Sequence, residues 1–183
     1  MFKLLEKKST PNNIKIGLIA VLAFNLVLFP LFPQIIKGIE VPLDSMLDLN
    51  FGYTTKEAYL QLSNLGEDGR IAYFWLVAII DMLYPLVYGF VYAIVVVRQL
   101  KQNCLEKLRW LVWFPVLMAF SDVLENVGTL LQLVSFPQQN ELASAFGSFF
   151  NQAKWTFAGI TFLVVLGLFV YSKKRKQKVR LSK

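Results

Sequence analysis

Four apolar runs, each long enough to cross a bilayer as a helix, alternate with short segments rich in lysine and arginine. That alternation constrains the fold more than anything else in the chain. The runs cover roughly 14–33, 71–97, 110–136 and 149–171, and a hydrocarbon core takes about 20 helical residues to cross. The composition agrees: 56% of the 183 residues are hydrophobic, more than a soluble domain of this length would carry. The expected fold is therefore all-α, a four-helix transmembrane bundle forming a single integral membrane domain over residues 1–183. The first run has the basic flank of a secretory signal (Lys3, Lys7, Lys8, Lys15). Its core is long, however, and it ends in Phe29-Pro30-Leu31-Phe32-Pro33 with no small-residue cleavage pattern, so it reads as a retained span.

The net charge of +7 would suit a nucleic-acid partner if it were spread over one surface. Instead the N-terminal segment, the loop 98–109 and the tail 172–183 hold 4, 4 and 7 of the 19 Lys and Arg residues. Positive residues are retained on the cytoplasmic side. Four spans bring all three segments to that side, and three or five would not. The expected topology has both termini in the cytoplasm, in the cytoplasmic (plasma) membrane, with no nucleic-acid partner. The tail Lys173-Lys174-Arg175-Lys176, continued by Lys178 and Arg180, is placed to meet anionic lipid head groups. The chain has no histidine, and Cys104 is its only cysteine. These counts exclude an intrachain disulfide, a CxxC pair and His-based catalysis or ligation, and no metal or cofactor is assigned. Cys104, in the short basic loop, is a candidate for palmitoylation.

The loop 34–70 then lies outside, and it is acidic: Glu40, Asp44, Asp48, Glu57, Glu67 and Asp68. Within it Thr54-Thr55-Lys56-Glu57 fits a capping box, and Ala58, Tyr59, Leu62 and Leu65 make one apolar face at helical spacing. Gly66 follows, where a helix end commonly takes a left-handed residue. The pattern predicts a short amphipathic helix over the outer mouth of the bundle. Pro137 suits a helix start, with Gln138 to Ser148 extending the fourth helix outwards.

The spans themselves carry carboxylates: Asp81 in the second, Asp122 and Glu125 in the third. An ionisable residue at such depth is costly and marks a functional site by default. Asp81, Tyr84, Tyr88 and Tyr92 recur on one helical face; Asp122, Glu125, Asn126 and Thr129 do so on another. Pro85, four residues after Asp81, removes the N–H that would have bonded the Asp81 carbonyl. Counting about 1.5 Å per residue along antiparallel helices puts Asp81 level with Glu125 and Asn126. Asn25 sits near the middle of the first span, and Lys154 lies in the outer part of the fourth, where it could neutralise a carboxylate. The expected site is a polar pocket in the outer half of the membrane. Its candidate ligand-binding residues are Asp81, Tyr84, Tyr88, Asp122, Glu125, Asn126 and Lys154, with Asp81 and Glu125 facing each other as its centre. The same residues can instead hydrogen-bond helices together with no ligand.

The four spans, the long first loop and the Asp81–Pro85 spacing resemble the EXPERA family of membrane proteins. That resemblance implies acidic residues facing an intramembrane ligand cavity. The isomerases of the family use a histidine with no counterpart here, so no catalytic assignment follows. The stretch from Asn50 to Pro85 is also similar to that of uncharacterised four-span bacterial membrane proteins, which imply no activity. The leading functional expectation is the binding of a lipid or amphipathic small molecule. A structural or assembly subunit comes next, then a proton- or cation-coupled transporter component, which would have to oligomerise. An enzyme using paired carboxylates has no identifiable nucleophile or substrate.

Overall fold

A computed structural model describes residues 1–42 and 45–181, apart from the side chains at 176 and 178–181. Asp44 of the acidic loop and part of the basic tail lie outside the described residues. The described residues are mostly helical, with no strand among them: α1 (Phe2–Lys8), α2 (Pro11–Lys37), α3 (Thr55–Asn64), α4 (Gly66–Gln102), α5 (Glu106–Ser135) and α6 (Glu141–Leu181). Helices α2, α4, α5 and α6 are long and apolar enough to cross a membrane, so the chain is an all-α, multi-pass membrane protein.

Helices α2, α4 and α6 run beyond both ends of the apolar stretches that reveal them, and α5 does so at its start. Helix α6 begins at Glu141, and the polar residues of its first turns, Ser144, Ser148 and Asn151, are buried. Hydropathy does not register such a helix end, because its polar groups are satisfied by other chain segments rather than by water. The start of α6 also corrects the reading of Pro137. Asn140 is the capping residue, its side-chain oxygen accepting from Ala143 N at 3.0 Å, and Pro137 lies in the preceding turn.

Two spans contain a widened π turn, at Phe24–Leu28 in α2 and at Leu76–Asp81 in α4. Each precedes a proline by a few residues, Pro30 and Pro33 in α2 and Pro85 in α4. Proline cannot donate to the carbonyl one turn back, and the helix adjusts its ladder locally.

Helices α5 and α6 form the most extensive pair, and α4 packs on both. They come together where side chains are smallest: Gly128 of α5 meets Gly147 and Ala143 of α6, and a Cβ on Gly128 would lie 2.7 Å from Gly147 Cα. Helix α2 packs along α4 and makes no substantial contact with α6. The three basic segments gather at one end. There Arg98 donates to the Ser9 carbonyl at 2.9 Å, and Asn103 Nδ2 donates to Ser172 Oγ at 2.7 Å.

At the opposite end, which we call the loop end, the capping box is complete. Thr54 Oγ1 accepts from Glu57 N, and Glu57 Oε2 accepts from Thr54 N at 2.8 Å. Those bonds hold the Glu57 carboxyl below its ordinary range. Ala58, Tyr59 and Leu62 are buried as the spacing predicts, and Gly66, in the left-handed region at φ 66°, joins α3 almost directly to α4. Thr54→Ala is expected to lower stability by about 1 kcal/mol, the usual value of such a cap, read as a small fall in melting temperature. The position of α3 differs from expectation. It packs against the ends of α5 and α6, where Tyr59 Oη bonds Ser135 Oγ at 2.6 Å, and the bundle's mouth is covered by Val41 and residues 46–49 instead.

Candidate functional site

The mouth-covering segment is fixed by polar side chains of α4 and α6. The Leu47 N–H donates to Tyr73 Oη at 3.0 Å. The Asp48 carbonyl accepts from Asn151 Nδ2 at 3.2 Å, Lys154 Nζ at 3.2 Å and Trp155 Nε1 at 3.0 Å. Further along, Gly52 N and Tyr53 N donate to Asn151 Oδ1 and Ser148 Oγ, each at 2.8 Å. Leu47 is fully buried beneath these bonds. The segment is thus a roof, tied down by a loop-facing stripe of α6.

Under it lies a cavity of about 670 Å³, walled by α2, α4, α5 and α6. Asp81, Tyr84, Tyr88 and Tyr92 line it from α4, Met118 and Asp122 from α5, Lys154, Trp155 and Ala158 from α6. Asn25, Phe29, Pro30 and Pro33 line it from α2, and Asp48 and Leu49 from the roof. The rings stack into a continuous wall: Tyr84 and Tyr88 meet edge-on with centroids 4.9 Å apart, and Phe29 meets Tyr84 edge-on at 5.2 Å. The cavity reaches the outside of the bundle between α2 and α6. Asn25 and Pro30 on one side of that cleft, and Trp155 on the other, line the cavity and are themselves exposed, as are Gln34, Glu40 and Leu49 at the loop end.

The carboxylates are distributed differently from the expected facing pair. Lys154 Nζ lies 2.5 Å from Glu125 Oε2 and 3.2 Å from Asp122 Oδ1. Neither oxygen has another hydrogen-bond partner, so the ammonium alone compensates them. Glu125 accepts from Asn151 Nδ2 at 2.8 Å through its other oxygen, is fully buried, and does not line the cavity. Asp122 does line it, and its second oxygen accepts from Tyr88 Oη at 2.7 Å. Asp81 is buried against the cavity, and among the described residues no donor reaches its carboxylate. Asn126 turns to α4 and donates to the Asp81 backbone carbonyl at 3.0 Å, the acceptor left free by Pro85. Tyr84 Oη accepts from Asn25 Nδ2 at 2.7 Å. Asp81 and Glu125 therefore have different neighbours, and the pair expected from counting along the helices does not form.

Sequence reasoning missed Asp48, Asn151 and Trp155. Burial pushes the Asp48 carboxyl above the ordinary carboxylate range, against the pull of Lys154. Asn151 was within reach, because Asn151, Lys154 and Ala158 recur at helical spacing on one face of α6. Comparison with protein-family models, with curated proteins and with solved structures finds no match to this chain.

Proposed function

We propose that the protein binds a lipid or amphipathic small molecule in this cavity. The observation that carries the reading is the lateral cleft between α2 and α6. An opening between α2 and α6 faces the bilayer, so a ligand that partitions there can reach the site. The volume fits, since small-molecule sites span about 300–1,000 Å³ and combine apolar walls with few polar anchors. The orientation we propose follows from the clustering of the basic segments at one end, which the charge rule assigns to the cytoplasm. The cavity then belongs to the outer half of the membrane. The exposed Lys173 and Lys174 at the basic end would meet anionic head groups.

A structural or assembly subunit is the second reading, and one observation favours it. Lys154 neutralises Asp122 and Glu125 internally, as a network that bonds helices together would. Lipid-resolved mass spectrometry of the purified protein separates the two. Binding predicts a retained amphiphile that is lost in Ala158→Leu, which narrows the cavity without touching a carboxylate. The absence of any retained species, or one held equally by Ala158→Leu, would favour the structural reading.

A further inference from the structure

A second recess, of about 440 Å³, lies on another flank of α4, against the end of α5, and shares no lining residue with the cavity. Glu67, Arg70 and Pro137 line it at the loop end, and Ile71, Phe74 and Leu133 line it toward the span. Ile71 opens the second apolar run, so the recess straddles the boundary between polar and apolar surface. Glu67 and Arg70 stand three residues apart, the spacing at which opposite charges on a helix ordinarily pair. They do not pair. Arg70 Nη1 instead donates to the Leu62 carbonyl, in the last turn of α3, at 3.2 Å. Its guanidinium lies 4.0 Å over the Phe136 ring, and Tyr59 stacks on Phe136 with centroids 6.2 Å apart. Arg70 is thus fixed in place, half-buried, and in no ion pair among the described residues. A guanidinium carries five N–H donors, and the Leu62 carbonyl takes one.

We propose that this recess holds a bilayer phospholipid whose head group joins a phosphate to a primary ammonium, the phosphoethanolamine type. The phosphate meets Arg70, whose remaining donors suit two of its oxygens. The ammonium meets Glu67, one helical turn further from the span. The two-carbon link between phosphate and ammonium is about as long as that turn, roughly 5 Å. The acyl chains pass Trp75, which lines the recess at the level where tryptophan is enriched in membrane proteins, and continue over Ile79 and Leu83; all three are exposed. Charge selects the head group. A purely anionic head would satisfy Arg70 and place a like charge beside Glu67. A quaternary ammonium would balance the charge but has no N–H to donate to the Glu67 carboxylate. The site stands apart from the cavity and from the reading of the cavity as a binding site.

The test is native mass spectrometry of the full chain in an uncharged polyoxyethylene detergent. The chain is titrated with phosphatidylethanolamine, phosphatidylcholine, phosphatidylglycerol and diacylglycerol, all with the same acyl chains. Phosphatidylethanolamine is expected to bind about three- to fivefold tighter than either other phospholipid, the range that an exposed charge pair supplies. Glu67→Gln is expected to remove that preference with the melting temperature nearly unchanged, since Glu67 is exposed. Arg70→Gln is expected to lower all three phospholipids to the affinity of diacylglycerol. Arg70 also anchors α3, so if Arg70→Gln does not fold, the wild-type ranking and Glu67→Gln decide. Ala158→Leu, which narrows the cavity, is expected to leave every one of these affinities unchanged. If another phospholipid binds as tightly as phosphatidylethanolamine, or the preference persists in Glu67→Gln, the head-group assignment is overturned. If diacylglycerol binds as tightly as the phospholipids, or the preference is lost in Ala158→Leu, the recess is not the site.

Discussion

Replacing Lys154 by Met is expected to cost about 3–5 kcal/mol of stability, the usual effect of removing one partner of a buried ion pair. Two carboxylate oxygens, Asp122 Oδ1 and Glu125 Oε2, have the Lys154 ammonium as their sole compensation. The same ammonium also holds the roof through the Asp48 carbonyl. Methionine keeps the length and apolar stem of the side chain, so the loss isolates the charge. In a Glu125→Gln background the same replacement is expected to cost several times less, because contacting residues are not additive. Thermal unfolding of the four proteins in detergent closes the cycle. Equal losses in both backgrounds would mean that Lys154 acts through the roof or Asp122 and not through Glu125.

The second large effect is expected at the crossing of α5 and α6. Gly128→Ala puts a methyl group 2.7 Å from Gly147 Cα and 3.2 Å from the Ala143 carbonyl oxygen. These are backbone atoms of a packed helix and cannot yield as a flexible side chain would. Overpacking of this kind costs about 1–3 kcal/mol, and Gly128→Leu, which is larger still, should not give a folded protein. Gly167 supplies the control, because a Cβ there meets nothing within 4 Å. Gly167→Ala should leave the melting temperature unchanged or raise it slightly, since alanine is the better helix former. A Gly128→Ala protein as stable as the wild type would mean that the helices do not cross as closely as described.

The spans and the amphipathic helix were legible because both write themselves into local periodicity. The face of Asp81, Tyr84, Tyr88 and Tyr92 was legible for the same reason, and all four line the cavity. What failed was the step from one helix to the next. Counting residues assigns depth but not rotation, and the π turn at Leu76–Asp81 shifts the helical phase just where Asp81 sits. Glu125 shares a helical face with Asp122, yet it turns to Asn151 and Lys154 while Asp122 turns to the cavity. Asp48 was beyond reach for a different reason. Its place depends on three donors from α6 converging on one carbonyl, and nothing in the local sequence announces that contact.

The one-sided attachment of α2 has a mechanical consequence. Helices α4, α5 and α6 brace one another, whereas α2 leans chiefly on α4 and carries two prolines and a widened turn at the level of the cavity. Its apolar run of about 20 residues spans roughly 30 Å, close to a typical hydrocarbon core, and a change in that thickness is met by tilting. Tilt moves α2 relative to α6 and so changes the width of the cleft between them. For the binding site proposed above, acyl-chain length and membrane thickness, which no residue encodes, would then bear on the width of that opening.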